Sequence, residues 1–232
     1  MIVPWGVTPA LVLFDLDGTL VDTAPDIARA LAVALEGSGV LPPPLDAVKR
    51  MVGDGARELI RRSLAVADRD GAGEEAALGR FLASYRESVC VGSRLYPGVV
   101  QGLAALRGDG AVLAVVTNKP GDLARSLLGA LGIAASFDAI IGDGDGFPRK
   151  PDPAAALSIL AKVGVSPDRA VMVGDGLPDL RLARALGVTA VAATWGYVPA
   201  ASLARETPAF LAGSFQEAIS IIRGAEPGAF LR

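Results

Sequence analysis

Short apolar segments alternate with helical segments through the second half of the chain, and this alternation constrains the fold more than any other feature of the sequence. Apolar runs this short, bounded by polar residues or glycine, are typical of buried strands, whereas the segments between them have the apolar spacing of helices. Such alternation indicates parallel strands joined by helical crossovers, with helices on both faces of one sheet. The predicted strands of this half are 111–116, 139–141, 170–173, 189–193 and 209–211, and the predicted helices are 99–107, 121–131, 153–163, 178–186 and 215–222.

The first half of the chain has a different pattern, because a single buried strand, 10–13, is followed by helical spacing as far as residue 91. We therefore predict an α/β fold: a Rossmann-like parallel sheet core built from residues 1–20 and 93–232, with an α-helical cap domain, residues 21–92, inserted after the first strand. A cap over the carboxyl edge of a sheet can exclude water and select substrates. The predicted helices of this cap are 27–35, 45–51, 56–67 and 74–89.

Two aspartates, Asp15 and Asp17, follow the first predicted strand directly. In extended chain, residues two apart project to the same side, so both carboxylates can face one reacting atom while Leu16 points to the core. Gly18 then lets the chain turn away. Two carboxylates this close imply a shared hard metal ion or separate acid and base roles. The alternatives are an ordinary Asp-Gly turn after a strand and a calcium loop, which would need a glutamate where Asp26 stands.

Thr117, Asn118 and Lys150 form two further polar clusters beside predicted helices. A hydroxyl followed by free backbone N–H groups at a helix start can bind an anion, and Thr117 can equally be an ordinary helix cap. Lys150 precedes a proline-stiffened turn into a helix. A lysine there can neutralise both a carboxylate pair and a phosphate group, although lysines before helices are usually just solvated.

The last cluster, Asp175 and Asp179, follows the predicted strand 170–173. Asp175 at that edge can complete a magnesium site with the first aspartate pair, since hard cations prefer oxygen ligands. Asp179 falls in the first turn of the next helix, where the helix dipole favours a carboxylate in any case.

Composition excludes several kinds of chemistry. The chain contains no histidine, which removes Ser-His-Asp, Cys-His and histidine-ligated zinc arrangements, and its single cysteine, Cys90, excludes an internal disulfide. Proton transfer is left to carboxylates, lysine, tyrosine or bound water. A net charge of -3 without a basic run gives no footprint for nucleic acid or an anionic membrane. With no long apolar run and no signal-peptide pattern, we expect a cytoplasmic protein, as a monomer or homodimer.

The four clusters, in this order, resemble the four motifs of the haloacid dehalogenase superfamily, and the resemblance spans nearly the whole chain. Within that superfamily the chain is most similar to the phosphatases of 2-phosphoglycolate. The similar stretches are 15–26, 52–56, 95–99, 117–120, 150–153 and 195–197.

This resemblance implies roles for the clustered residues. Asp15 would be the nucleophile that forms an aspartyl-phosphate, and Asp17 would act as the general acid and then the general base. Thr117, the Asn118 amide and Lys150 would hold the phosphoryl oxygens, where charge accumulates in the transition state.

The resemblance also implies a Mg²⁺ cofactor, bound by the Asp15 carboxylate, the Asp17 backbone carbonyl and Asp175, with Asp179 in support. The sequence departs from the family here, because relatives often have serine or threonine at the place of Gly176 and asparagine at that of Pro178. A hydrogen bond that orients the metal carboxylates is then missing, and we expect weaker Mg²⁺ binding.

The loop 49–58 in the predicted cap is a candidate for substrate selection. Gly53 and Gly55 let its backbone approach a small ligand, and Arg57 can pair with a carboxylate such as that of glycolate. The alternative is a flexible turn between helices with Arg57 solvated.

The function that the resemblance implies is Mg²⁺-dependent hydrolysis of a small phosphorylated metabolite, 2-phosphoglycolate before others. The alternative enzymes are a phosphatase of a sugar phosphate or pyrophosphate, and a phosphomutase. A third alternative is a non-catalytic binding module with the same fold.

Overall fold

The computed structural model describes residues 9–64 and 73–224. Six of its strands form one parallel sheet, so the predicted α/β fold is confirmed. In chain order the strands are β1 (Leu11–Phe14), β2 (Val21–Asp22), β3 (Arg94–Leu95), β4 (Val112–Pro120), β5 (Ala139–Asp143), β6 (Ala170–Gly174), β7 (Thr189–Ala193) and β8 (Phe210–Ala212). The order across the sheet is β5-β4-β1-β6-β7-β8, which places β1 between β4 and β6.

Helices cover both faces of this sheet. The helices are α1 (Ala24–Leu35), α2 (Leu45–Met51), α3 (Ala56–Leu64), α4 (Glu74–Glu87), α5 (Val99–Gly108), α6 (Gly121–Ala130), α7 (Ala154–Val163), α8 (Leu177–Leu186), α9 (Ala200–Ala204) and α10 (Phe215–Ile222). One face packs against α5, α6 and α10, and the other against α7, α8 and α9. Strand β1 is buried on both faces, which is why its residues read as a continuous apolar run.

Helices α1 to α4 form a separate apolar cluster that contains Ile27, Leu31, Ile60, Phe81 and Tyr85. We call this helical unit the cap and the sheet with its helices the core. The chain passes between core and cap at β2 and again at β3, and these two strands pair antiparallel. The sequence pattern did not predict this short ribbon. Residues 65–67 of the third predicted cap helix lie outside the described residues, as do residues 1–8 and 225–232 of the predicted core.

Strand β4 departs most from its predicted bounds, because it continues four residues beyond the predicted end at 116, to Pro120. Its pairing with β5 is irregular after Val116 and resumes where Pro120 lies opposite Asp143. Helix α6 begins at Gly121, as predicted, with Pro120 as its N-cap, so the alternative that Thr117 is an ordinary helix cap is wrong. Within the described ranges, no helix is both long and apolar enough to cross a membrane.

Candidate active site

Asp15 and Asp17 lie at the carboxyl end of the central strand β1. The backbone N–H of Asp15 donates to the carbonyl of Val173 at 2.9 Å, which continues the pairing of β1 with β6 by one residue. Leu16 between them is fully buried, and Gly18 turns the chain with a φ of 88°, a conformation that favours glycine. Both carboxylates consequently border the same cavity, as the spacing of the two aspartates predicts.

This cavity lies between the cap and the core. The space between them is narrow, and part of it is open to solvent. The cap supplies most of its apolar lining, and the core supplies its polar lining. The cap residues are Ile27, Val52, Gly53, Gly55, Ala56, Leu59, Phe81 and Tyr85, and the core residues are Asp15, Asp17, Thr117, Asn118, Lys119 and Pro120.

A group of three carboxylates, which includes Asp15, lies beside Lys150. Asp15, Asp175 and Asp179 are all buried, and each offers an oxygen within 4.8 Å of the others. The ammonium nitrogen of Lys150 lies 2.7 Å from Asp15 Oδ1 and 2.6 Å from Asp179 Oδ1. The structure thus brings together the first, third and fourth sequence clusters.

Burial disfavours the ionised forms of Asp175 and Asp179. Burial and the neighbouring Asp15 carboxylate raise the pKa of Asp175 to about 8 and that of Asp179 to about 7. Burial alone would lower the pKa of the Lys150 ammonium, but the charges of Asp15 and Asp179 outweigh it and raise that pKa above its ordinary value. Full ionisation of all three carboxyl groups is therefore unfavourable here unless a further positive charge is present.

Backbone and hydroxyl donors hold both outer carboxylates in place. Asp175 accepts from the Thr19 hydroxyl at 2.8 Å and from the Tyr197 N–H at 2.8 Å. Asp179 accepts from Lys150 and, at 2.9 Å, from the N–H of Gly176. Although Gly176 offers no side-chain hydroxyl, the two carboxylates are oriented by these other donors. The weaker Mg²⁺ binding expected from Gly176 and Pro178 stays a prediction.

The residues present fit a hard divalent cation such as Mg²⁺. Oδ1 of Asp15 is buried, and it has no hydrogen bond of ordinary geometry although the ammonium nitrogen of Lys150 lies 2.7 Å away. A Cβ atom at Gly18 or Gly196 would collide with the Asp175 carboxylate, so glycine leaves the space around that group open. Oxygen atoms from buried carboxylates are the ligands that Mg²⁺ prefers.

Thr117 and Asn118, the predicted phosphate-binding pair, have different surroundings. Thr117 is buried, borders the cavity and accepts a hydrogen bond from the Lys119 N–H at 3.2 Å. The Asn118 side chain accepts from the Lys150 N–H at 2.8 Å and donates to the Gly53 carbonyl at 2.9 Å. Because that side chain joins the cap loop to the Lys150 segment, only the backbone amide of Asn118 is left to face a phosphoryl group.

Sequence reasoning missed Lys119 and Tyr85. The ammonium nitrogen of Lys119 lies 3.1 Å from Asp17 Oδ1 and 2.6 Å from the Tyr85 hydroxyl oxygen. Burial lowers the pKa of Lys119, but Asp17 and Tyr85 outweigh this effect and raise it above its ordinary value. Lys119 stands in the motif after Thr117 and Asn118, so its position was visible, but nothing in the sequence pairs it with Tyr85 of the cap.

The predicted substrate loop is only partly in the site. Gly53 and Gly55 border the cavity with φ angles of 125° and 94°, which favour glycine. Arg57 does not border the cavity, so its predicted place in the site is wrong. Its half-exposed guanidinium group lies 3.1 Å from Glu74 and 2.8 Å from Glu75 at the start of α4. The packing of α3 against α4, which the sequence pattern does not reveal, supplies these acidic partners.

Trp195 and Tyr197 belong to a stretch of the resemblance to which no role was given, and Tyr197 links the site to the cap. The indole N–H of Trp195 donates to the Thr19 carbonyl at 3.1 Å. The Tyr197 hydroxyl oxygen accepts from the N–H groups of Thr23 and Ala24, at 2.8 and 3.0 Å, at the start of α1. Since the Tyr197 N–H also holds Asp175, one residue contacts both the carboxylate cluster and the first cap helix.

Comparisons with known proteins agree with this geometry. The family model of haloacid dehalogenase-like hydrolases matches residues 9–187. Phosphoglycolate phosphatase 1 of Pseudomonas aeruginosa is 40% identical over 214 residues, which cover 90% of this chain and 78% of that protein. Phosphoglycolate phosphatase of Rhodospirillum rubrum is 42% identical over 203 residues, which cover 84% of each. The crystal structure of a Haemophilus somnus 129PT protein, described as a predicted phosphoglycolate phosphatase, has a TM-score of 0.85 at 32% identity and covers 91% of this chain and 97% of that one.

Proposed function

The chain is an enzyme of the haloacid dehalogenase-like hydrolase family, and on that premise we propose that it hydrolyses 2-phosphoglycolate to glycolate and inorganic phosphate with Mg²⁺ as cofactor. Relatives that carry the name phosphoglycolate phosphatase, at 40 and 42% identity, support this substrate.

The observation that carries the proposal is the pair Asp15 and Asp17 at the edge of a narrow cavity between cap and core. In so narrow a space, 2-phosphoglycolate, which has few atoms beyond its phosphate group, requires less opening of the cap than a sugar phosphate does. The apolar lining from the cap excludes water, which strengthens electrostatic interactions inside the site.

In the first step, an oxygen of the Asp15 carboxylate forms a bond to phosphorus while the bond between phosphorus and the glycolate oxygen breaks. The protonated carboxyl group of Asp17 gives its proton to that leaving oxygen. The products are glycolate and a phosphoryl group attached to Asp15. Throughout, the Thr117 hydroxyl, the Asn118 N–H and the Lys150 ammonium group bind the phosphoryl oxygens.

In the second step, a water oxygen forms a bond to phosphorus, and the Asp17 carboxylate takes a proton from that water. The bond between phosphorus and the Asp15 oxygen breaks. Inorganic phosphate leaves, and the enzyme returns to an Asp15 carboxylate and a protonated Asp17, ready for another turnover.

Asp15, Asp175 and the backbone carbonyl of Asp17 would hold Mg²⁺, with Asp179 in support. When bound, Mg²⁺ supplies positive charge that offsets the buried carboxylates and the phosphoryl oxygens. The ligand set is part of the proposal, and it agrees with the group of carboxylates beside Lys150.

Phosphate release from a panel of esters tests the function. The panel contains 2-phosphoglycolate, ethyl phosphate, pyrophosphate and glucose 6-phosphate, each with Mg²⁺ and with EDTA, and Asp15→Asn serves as the blank. We expect kcat/KM for 2-phosphoglycolate to exceed that for every other compound by about 10-fold or more. We also expect this activity to disappear with EDTA and in the variant.

Other results would select among the alternatives. Equal, low activity on the whole panel, or a preference for glucose 6-phosphate or pyrophosphate, would contradict the substrate while leaving a phosphatase. A phosphoenzyme that outlives its exposure to water would indicate a phosphomutase, and no release from any compound would indicate a binding module. A cytoplasmic location, a monomeric or homodimeric state and the lack of nucleic-acid or membrane partners stay predictions.

A further inference from the structure

Lys119 is a buried cation on the side of Asp17 that faces the cap. It extends from the end of β4, and its side chain is only 3% exposed. Its ammonium nitrogen lies 4.3 Å from the centre of the Tyr85 ring and donates to the hydroxyl oxygen of that ring at 2.6 Å. Tyr85 comes from α4, so a cap helix fixes the position of a core lysine.

The ammonium group of Lys119 has capacity for another partner. It carries three N–H bonds. Among the described residues, it makes three hydrogen bonds, to the Tyr85 hydroxyl and to the two oxygens of the Asp17 carboxylate, which lie at 3.1 and 3.3 Å. Because one N–H can serve both oxygens of a carboxylate, a third can turn to a ligand in the cavity that Lys119 borders.

The charge of the cavity lining makes Lys119 distinctive. Among the described residues that border the cavity, it is the only one with a positive charge, and the cap side is apolar: Ile27, Val52, Leu59 and Phe81. A cation in such surroundings attracts an anion more strongly than one in water does. Lys150 is not part of the cavity lining in this structure, and its ammonium group is engaged by Asp15 and Asp179.

We propose that Lys119 binds the carboxylate at the far end of the substrate and that Tyr85 holds Lys119 in place for this contact. This inference rests on the proposed function, and it assigns to a core lysine the recognition that the sequence suggested for Arg57. With the phosphoryl group between Asp15 and Thr117, the other end of a small substrate lies toward the cap, where Lys119 is the available cation. Arg57 is engaged by Glu74 and Glu75 outside the cavity.

The test compares two esters that differ in the carboxylate. Activity on 2-phosphoglycolate and on ethyl phosphate is measured for the wild type, Lys119→Met and the matched control Arg57→Met. We expect Lys119→Met to lower kcat/KM for 2-phosphoglycolate about 10- to 100-fold more than for ethyl phosphate, the range for hydrogen bonds to charged groups. Arg57→Met should leave the ratio of the two substrates unchanged.

Tyr85→Phe is the second variant, because it keeps the ring in the cap while removing the hydroxyl that accepts from Lys119. We expect a smaller loss, about 2- to 10-fold, again confined to the carboxylate substrate. Thermal unfolding of each variant shows whether it is folded. If Lys119→Met is not folded, the inference is decided by the ratio of kcat/KM for 2-phosphoglycolate to kcat/KM for ethyl phosphate in Tyr85→Phe.

Three results overturn the inference, and they can be told apart. If the wild type prefers 2-phosphoglycolate and the substrate ratio is unchanged in Lys119→Met and Tyr85→Phe, Lys119 does not recognise the carboxylate although the proposed function stands. If the wild type has no preference for 2-phosphoglycolate, the proposed function fails before any variant is compared. A selective loss in Arg57→Met would return the recognition to the cap loop.

Discussion

Three buried carboxylates, those of Asp15, Asp175 and Asp179, lie close together, and the ammonium group of Lys150 contacts two of them, Asp15 and Asp179. Burial and mutual repulsion raise the pKa of Asp175 to about 8 and that of Asp179 to about 7, so the folded protein carries unfavourable charge interactions at this place. Such an arrangement is maintained because the surrounding fold imposes it. A divalent cation bound there would relieve the repulsion and would stabilise the folded state.

Removal of the proposed metal is therefore expected to lower stability as well as activity. At a Mg²⁺ concentration about 100 times the dissociation constant, binding stabilises the folded state by about 2.7 kcal/mol, which raises Tm by roughly 5 to 10 °C in a chain of this size. Asp175→Asn should abolish most of that shift. Differential scanning calorimetry with Mg²⁺ and with EDTA measures it without any substrate.

The matched control for this prediction is Asp109→Asn, since Asp109 pairs with Arg223 in an exposed ion pair remote from the site. It should keep the full Mg²⁺-dependent shift. An equal shift in Asp175→Asn, or none in the wild type, would contradict the metal site.

At the scale of elements, the crossings between cap and core depend on the first turn of α1. The Asp26 carboxylate accepts from the N–H groups of Val91, Gly92 and Ser93 at 2.8 to 3.0 Å, and from the Ser93 hydroxyl at 2.6 Å. These bonds hold the chain just before β3, which pairs with β2 directly before α1. Asp26 thus joins the start of the cap to its end.

Loss of this carboxylate should destabilise the protein in a pH-dependent way. Burial raises the pKa of Asp26, but the Ser93 hydroxyl and the backbone donors outweigh it and hold that pKa below its ordinary value of 3.8. Its stabilisation is therefore fully present above that ordinary value and is lost as the pH falls through the lowered pKa. We expect Asp26→Asn to lose about 1 to 3 kcal/mol of unfolding free energy at pH 7.

Urea denaturation at neutral and acidic pH measures the difference between Asp26→Asn and the wild type, which should shrink as the pH falls below 3.8. Asp46→Asn is the control, because Asp46 is exposed on the same cap. A stability difference independent of pH, or equal stability at pH 7, would contradict the role of Asp26 in joining the start of the cap to its end.

How far the sequence predicted these elements depends on whether the signal was local. The apolar spacing within single segments predicted the bounds of α2, β7 and α10 correctly, because that spacing depends only on the residues of each segment. The ribbon of β2 and β3 was not predicted, since it pairs two-residue segments that are distant in the chain. The same reason explains why the end of β4 was predicted too early. Its last residue pairs with Asp143 after an irregularity that no local sequence pattern indicates.

The candidate site shows the same division between local and distant information. Asp15, Asp17 and Asp175 were found because carboxylates directly after apolar runs must meet at the edge of a parallel sheet. The contact of Lys119 with Tyr85 was not found, and Arg57 was assigned to the wrong surroundings. Both depend on how the cap helices pack, which the spacing within one helix does not contain.

At the scale of the whole molecule, the site is complete only where cap and core meet. The core supplies the carboxylates, and the cap supplies the apolar lining that closes the cavity over them. Contacts that join these parts at the site run from Asn118 to the Gly53 carbonyl, from Lys119 to Tyr85 and from Tyr197 to the start of α1. Substrate selection and water exclusion are therefore properties of the assembled molecule, whereas the chemistry belongs to the end of one strand.

The central claim is that Asp15 becomes phosphorylated and Asp17 is needed to release the phosphate. The Asp17→Asn variant separates these steps when the substrate is acetyl phosphate, because acetate leaves without a proton while the water that follows still needs a base. The measurement is the mass of the intact protein and of its Asp15 peptide after a rapid acid quench, in the presence of Mg²⁺.

We predict that Asp17→Asn accumulates one phosphoryl group per molecule, located on Asp15, and that later turnover is slower than in the wild type by about 10²- to 10⁴-fold. Asp15→Asn should acquire none. The account would be contradicted if Asp17→Asn released phosphate as fast as the wild type, or if the phosphoryl group were found on a residue other than Asp15.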